Sequence, residues 1–254
     1  MGLGEYMAYE IVPFLNAEAV AFAGAELFRD RAKYSIKSRG VFRVALSGGS
    51  TPKRMFSILA EAPFHNTIEW DKVCLFWSDE RSVPLDHPES NFKTAKDLLI
   101  DKVGLKPSNI HPMQAEPLET EGDLNYERAI ALDFGVNQNG PPPAFDLIYL
   151  GMGPDAHTAS LFPETNALAI TDRWVVRNSV PKLSTTRLTF TFPLINAARC
   201  VCFLVCGLDK AKPLHEVLYG APNRAQYPSQ GIKPLGELLW YGDKAALSLI
   251  PEER

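Results

Sequence analysis

The sequence has no cluster of lysine or arginine, and its formal charge at pH 7 is −4. Nucleic-acid binding draws on a basic patch or stripe, so nucleic acid is not an expected partner. It also lacks any apolar run near the roughly 20 residues that a membrane helix needs, and no basic segment near Met1 leads into a long apolar stretch. No membrane association is expected, and the expected compartment is the cytoplasm. Cysteine is scarce, limited to Cys74, Cys200, Cys202 and Cys206, with no CxxC pair. That spacing argues against a zinc framework. The expectation is no metal and reduced, buried thiols, the last three sharing one side of a strand. The P-loop pattern G-x-x-x-x-G-K is absent, and Gly48-x-Ser50-x-Pro52 lacks the closing glycine of a nucleophile elbow. Cofactors are therefore not expected, and the partner is expected to be a small molecule.

What remains is ordinary for a globular enzyme: 254 residues, 46% hydrophobic and 22% charged. No repeat, low-complexity tract or linker divides the chain, so residues 1–254 are expected to form one α/β domain, monomeric or weakly homo-oligomeric. Helical spacing of Ala19, Phe22, Ala23 and Leu27 predicts an amphipathic helix over Asn16–Ser38, closed by Gly40. Strands are expected at Val41–Leu46, Val73–Trp77, Leu147–Leu150, Trp174–Val180, Arg187–Phe192, Val201–Cys206 and Leu238–Tyr241, with a shorter one at Asn109–Met113. Helices are expected from Thr51 (N-cap) and Pro52 (first turn), from Ser90-Asn91 to Leu99, over Leu124–Phe134 and Pro193–Ala198, after Lys210, and after Asp243 as a cap. Strand–helix alternation predicts a mainly parallel sheet with helices on both faces, which brings the strands' carboxyl ends to one edge.

Those ends carry the chemistry. The stretch Phe145–Pro163, FDLIYLGMGPDAHTASLFP, passes from a buried strand into a glycine-bent turn bearing Asp155 and His157, and then into a short helical segment ended by Pro163. Gly151, Gly153 and Ala156 match G-x-G-x-x-A, yet a dinucleotide reading fails. Asp155 would face the pyrophosphate, the helix is too short, and no acidic residue closes the next strand. Asp155 is free to cap the following helix or to orient His157, and the residues do not separate the two. Ser47-Gly48-Gly49-Ser50-Thr51 joins a strand to a helix start, a place where free N–H groups attract an anion. Ser78-Asp79-Glu80-Arg81 crowds three charges at another strand end, and Arg81 has the fork geometry for phosphate. Lys210 follows a fourth strand. Together these imply a small phosphorylated substrate and proton transfer or hydrolysis, with His157 as base.

At these motifs the chain resembles the glucosamine-6-phosphate deaminase/6-phosphogluconolactonase family, on its lactonase side. The carrying segments are ALSGGSTP (45–52), WSDERSVP (77–84) with Ser90-Asn91, and GMGPDAHTASLFP (151–163). RLTFTFPLINAA (187–198), GLDK (207–210) and LLWYGDKAA (238–246) add to them. The resemblance implies the three-layer α/β/α, Rossmann-like fold of sugar-phosphate isomerases and deaminases. It also implies hydrolysis of 6-phospho-D-glucono-1,5-lactone in the pentose phosphate pathway. His157 would then be the base, Gly48, Gly49, Arg81 and Lys210 would hold the phosphate, and Arg187 would lie near the sugar. The family usually has Gly where Ala156 stands, and Ala avoids positive φ, so the turn is expected to be helical there. In the deaminase pattern I-A-F-N-E-P follows the His, with a carboxylate where this chain has Phe162. A deaminase or isomerase activity, or a sugar-phosphate sensor without turnover, are the alternatives.

Overall fold

In the computed structural model, which describes residues 9–116 and 121–251, the strands are Tyr9–Phe14 (β1), Phe42–Leu46 (β2), Val73–Trp77 (β3), Asp79–Arg81 (β4), Leu147–Leu150 (β5), Val175–Val180 (β6), Thr185–Phe190 (β7), Cys200–Val205 (β8) and Glu237–Asp243 (β9). The α-helices are Ala17–Arg39 (α1), Ser50–Leu59 (α2), Phe64–Thr67 (α3), Asn91–Leu98 (α4), Gly122–Phe134 (α5), Phe192–Asn196 (α6) and Ala211–Tyr219 (α7). Six strands form a wholly parallel sheet in the order β1-β9-β8-β5-β2-β3. Its central strands β5 and β8 read LIYL and CVCFLV and are buried at every position, as a sheet covered on both faces requires. No helix among the described residues is long and apolar enough to cross a membrane.

Strand order sets the position of the site. From β2 the chain moves outward to β3, then returns to the other side of β2 and proceeds through β5, β8 and β9. Right-handed crossovers place α1 and α2 on one face, where they pack together, and α5, α6 and α7 on the other. The connections leaving β2 and β5 therefore diverge, and a crevice opens at their carboxyl ends.

Helix ends follow local chemistry. Asn16 caps α1 by accepting the Ala19 N–H at 3.0 Å, and Gly40 ends it at φ 79° while its N–H donates to Ile36. Ser90 caps α4 by accepting the Lys93 N–H at 3.1 Å.

Several expectations are corrected. Helix α2 starts at Ser50 with Gly49 as its N-cap, two residues ahead of the expected Thr51 cap and Pro52 start, and no side chain caps it. Around Ile110 only a single bridge to Leu75 forms, after a 3-10 turn at Pro107–Asn109. No helix follows Asp155: residues 156–163 fold as successive turns, with Ala156 and Ala159 at φ 61° and 47°. After Asp243 the chain also turns without a helix, and the carboxylate instead accepts the N–H groups of Gly207 and Ala246. Strand β1, the edge of the parallel sheet, is an addition to the strands expected from sequence.

The larger difference is a second sheet. Strands β4, β7 and β6 form an antiparallel trio, so β6 and β7 do not join the parallel sheet. Ser78 is the joint between the sheets, its N–H donating to Leu46 and its carbonyl accepting from Phe190. One hydrophobic cluster continues through both sheets. Phe145 in its middle lies 5.2 Å from Phe76 and 5.5 Å from Phe190 between ring centroids.

Candidate active site

The crevice holds a cavity of ≈ 290 Å³ lined by residues from several strand ends. Gly48, Gly49, Ser50 and Thr51 come from the end of β2, and Asp79 and Arg81 from β4. His157 follows β5, Arg187 lies on β7 and Lys210 follows β8. The structure thus brings together every site residue expected from sequence except Asp155, which stands directly behind His157. The volume is at the small end for ligand pockets.

The turn after β5 is built around its histidine. Gly153 donates its N–H to the His157 carbonyl at 2.9 Å and accepts the Ala156 N–H at 3.0 Å. The imidazole lies so close over Gly153 that a Cβ there would sit 2.0 Å from His157 Nδ1. Asp155 Oδ1 accepts from His157 Nδ1 at 2.6 Å and from the His157 backbone N–H at 3.3 Å, while Oδ2 accepts from Lys182 Nζ at 2.9 Å. Burial opposes ionisation of Asp155, but the His157 and Lys182 hydrogen bonds outweigh it and hold its carboxyl well below the usual carboxylate range. An ionised carboxylate only accepts, so Nδ1 is the donor of this contact and Nε2 is the ring nitrogen turned away from Asp155. The ring stacks on Phe162, centroids 4.1 Å apart. Asp155 therefore orients the imidazole and caps no helix. Ala156 adopts the left-handed angle that its side chain is expected to avoid; its carbonyl is held by Ser229.

The glycine turn after β2 is held from the side. A Cβ on Gly48 would lie 2.0 Å from Asn91 Oδ1, so only glycine lets the two segments meet. Asn91 in turn donates to the Asp79 carbonyl at 3.0 Å. Gly49, at φ 115°, opens α2 with no side-chain cap, which leaves first-turn N–H groups beside the cavity.

The three charges of β4 have three different fates. Glu80 is wholly buried and accepts the N–H groups of Arg81, Asn91 and Phe92 together with the Ser90 hydroxyl. Burial pushes its carboxyl up, and those backbone donors act against the rise. Asp79 accepts the Ser160 hydroxyl at 2.6 Å. Arg81 faces Arg187 across the β4–β7 pair. Both guanidiniums have a buried Nε with no hydrogen-bond partner among the described residues. Burial lowers the Arg187 pKa and neighbouring Arg81 adds to that, while Asp79 works in the opposite direction. Lys210 Nζ rests 2.8 Å from the exposed Asp209 carboxylate.

Sequence reasoning gives Asn91 only a capping role and Asp79, Met152 and Cys206 no place in the site, although all line the cavity. The signal for Asn91 is present in the Ser90-Asn91 pair, whose second member turns inward. Cys206 lies just past β8 and is the least buried of the four free thiols. A larger cleft, ≈ 590 Å³, lies on the far side of Pro154 and Asp155. It contains neither the glycine turn nor either guanidinium, so the smaller cavity is the candidate site.

This arrangement has relatives. A 6-phosphogluconolactonase of Synechocystis sp. is 41% identical over 94% of this chain and 98% of its own. The solved structure of 6-phosphogluconolactonase from Trypanosoma cruzi is 25% identical, with a TM-score of 0.85 over 97% of this chain and 98% of that one. That from Thermotoga maritima is 28% identical, with a TM-score of 0.78 over 93% of this chain and 100% of that one. The model of the glucosamine-6-phosphate isomerases/6-phosphogluconolactonase family matches residues 15–240, and the chain belongs to that family.

Proposed function

We propose that this protein hydrolyses 6-phospho-D-glucono-1,5-lactone to 6-phospho-D-gluconate, the lactone-opening step of the oxidative pentose phosphate pathway, with His157 as general base. The observation that carries the reading is the Asp155–His157 pair, 2.6 Å apart, beside a cavity that Arg81 and Arg187 also line. The names of the relatives above support the choice of substrate.

A lactone carbonyl is already electrophilic, so a positioned water and a base suffice. His157 Nε2 takes a proton as water oxygen bonds to C1, and Asp155 steadies the imidazolium that forms. As the ring C1–O bond breaks, the imidazolium returns the proton to the leaving ring oxygen. The Gly153 N–H is already given to the His157 carbonyl, whereas the guanidinium of Arg187, whose Nε is unpaired among the described residues, is available to donate to the tetrahedral oxyanion. The phosphate is gripped by the first-turn N–H groups at Gly48–Thr51, by Arg81 and by Lys210, remote from the reacting carbon, so binding energy goes into orientation.

The test is a stopped assay with freshly prepared lactone, followed against its spontaneous opening. Formation of 6-phosphogluconate well above the uncatalysed rate is expected. Tight binding of 6-phosphogluconate with no acceleration at all would instead identify a sensor.

A further inference from the structure

At the opposite end of β3 from the cavity, three donors from distant segments converge. They are Cys74 Sγ on β3, His111 Nε2 just past the bridge at Ile110, and an Asp133 carboxylate oxygen near the end of α5, all within 4.8 Å of one another. Part of this cluster is a closed hydrogen-bonded network. Arg43 donates from Nε to Asp133 Oδ2 and from Nη2 to the Asp133 backbone carbonyl at 2.6 Å. The network leaves His111 over. Its Nε2 is buried and lies 3.4 Å from Asp133 Oδ1, yet it makes no hydrogen bond among the described residues. A buried polar atom without a partner calls for an unseen one.

We propose that Cys74, His111 and Asp133 form a binding site for a thiophilic divalent cation of the zinc type. In a tetrahedral site with Zn–N and Zn–O bonds of about 2.1 Å, nitrogen and oxygen ligands lie about 3.4 Å apart. That is the separation found between His111 Nε2 and Asp133 Oδ1. Thiolate, imidazole and carboxylate are a borderline-soft donor set suited to zinc, and three protein ligands leave a fourth position for water. The outer contacts are in place: Arg43 fixes the second carboxylate oxygen, and the imidazole is stacked on Phe76 with ring centroids 4.3 Å apart. Cys74 is buried, and the His111 and Asp133 side chains are 17% and 14% exposed, so the cluster lies close beneath the surface. On binding, the S–H bond of Cys74 breaks, an S–metal bond forms and the proton leaves to solvent. The ion would fasten the edge strand β3 to α5, far from His157, so its role is structural. The sequence expectation of no metal rests on the missing CxxC pair, a test blind to donors that only the fold brings together.

The test uses the full chain, stripped with chelator and then titrated with Zn²⁺ or Co²⁺. One equivalent of zinc retained after desalting, a raised thermal midpoint and a thiolate-to-cobalt charge-transfer band are expected. Cys74→Ala and His111→Gln should each abolish the band and the thermal shift while lactone hydrolysis stays unchanged. Wild-type protein that retains no zinc or shows no thiolate band overturns the proposal. So does a zinc shift that survives both substitutions. Should either variant fail to fold, the wild-type stoichiometry and band decide alone.

Discussion

Ser229 gives both its backbone N–H, at 3.0 Å, and its hydroxyl, at 2.8 Å, to a single acceptor, the carbonyl of Ala156. Ala156 is fully buried and sits at φ 61°, one residue before the histidine. An L-residue in the left-handed region is strained by about 1–2 kcal/mol. Two donors converging on one buried carbonyl offset that strain and fix the plane of the peptide leading into His157. The Pro/Gly-rich tail loop, unremarkable as sequence, is therefore the backing of the histidine turn. A second tie to this loop comes from the Glu164 N–H, which donates to Ala225 at 3.0 Å.

This relationship predicts an asymmetry between two substitutions. Ala156→Gly removes the strain but adds backbone entropy to the unfolded chain, about 0.5–1 kcal/mol, and loses a buried methyl worth about 0.8 kcal/mol. It should change stability by less than about 1 kcal/mol. Ser229→Ala should cost about 1–2 kcal/mol, since it removes a buried hydrogen bond without freeing the turn. Urea unfolding midpoints would measure both. A loss from Ala156→Gly larger than that from Ser229→Ala would show that the clamp does not hold the turn.

Arg81 and Arg187 are partners in register, both buried at Nε and unpaired there among the described residues. Two like charges are tolerated in such a place when an anion completes it. Arg81→Ala should raise KM and weaken inhibition by 6-phosphogluconate by about 1.5–3 kcal/mol, the range for a charge-assisted contact, with kcat less affected. An unchanged KM together with unchanged inhibition would remove Arg81 from the phosphate site.

Phe162 occupies the position where the deaminase pattern carries a carboxylate, and its ring is stacked on His157. A phenyl group cannot relay a proton for ring opening. Ammonia release from glucosamine 6-phosphate should stay at background at enzyme levels that hydrolyse the lactone readily. Release at a comparable rate would put the chain on the deaminase side of its family.

Much of the parallel sheet and of the cavity is legible in the sequence, because β2, β3, β5 and β8 are short, mostly apolar runs cut off by glycine or by charge. Each such run announces its carboxyl end, and the cavity collects residues from those ends. Local reading fails where distant contacts decide. Ala156 reads as helical from its own preference, but Ser229 holds it elsewhere. Asp243 reads as a helix cap because nothing in its neighbourhood names Gly207 as a partner, and Asp155 stays open between cap and orienter because Lys182, its second partner, is distant in sequence. The alternation Leu188/Phe190 marks a strand, while its membership of a separate antiparallel sheet depends on pairing with Asp79–Arg81, which is set by the joint at Ser78. Cys74, His111 and Asp133 leave no trace in spacing at all.

Asp155 gives a prediction in pH. Its carboxyl is held below the usual range in the folded protein, against about 3.9 in an unfolded chain. A depressed folded value adds stability above the unfolded value, and that stability is lost as pH falls toward the folded one. Asp155→Asn should therefore be less stable than wild type near pH 6, and the gap should close below about pH 4. Urea midpoints at both pH values would test this, and a gap that stays constant would mean that the Asp155 charge is not what stabilises the turn.

His157 carries the prediction on which the catalytic reading stands. Asn at this position keeps polarity and much of the volume, and the contacts proposed for phosphate lie on other strand ends. Binding of 6-phosphogluconate should survive in His157→Asn. An amide cannot accept the proton of the attacking water, so kcat should fall by the roughly 10²–10⁴ that general-base help supplies. Loss of kcat with KM nearly unchanged separates a catalytic imidazole from one that merely supports the turn, because a displaced turn would also disturb Gly153 and Pro154 on the cavity wall. The single-turnover rate of the variant against wild type is the measurement. A His157→Asn protein that opens the lactone at the wild-type rate would make the imidazole structural and send the search for a base to Asp79, the carboxylate that lines the cavity.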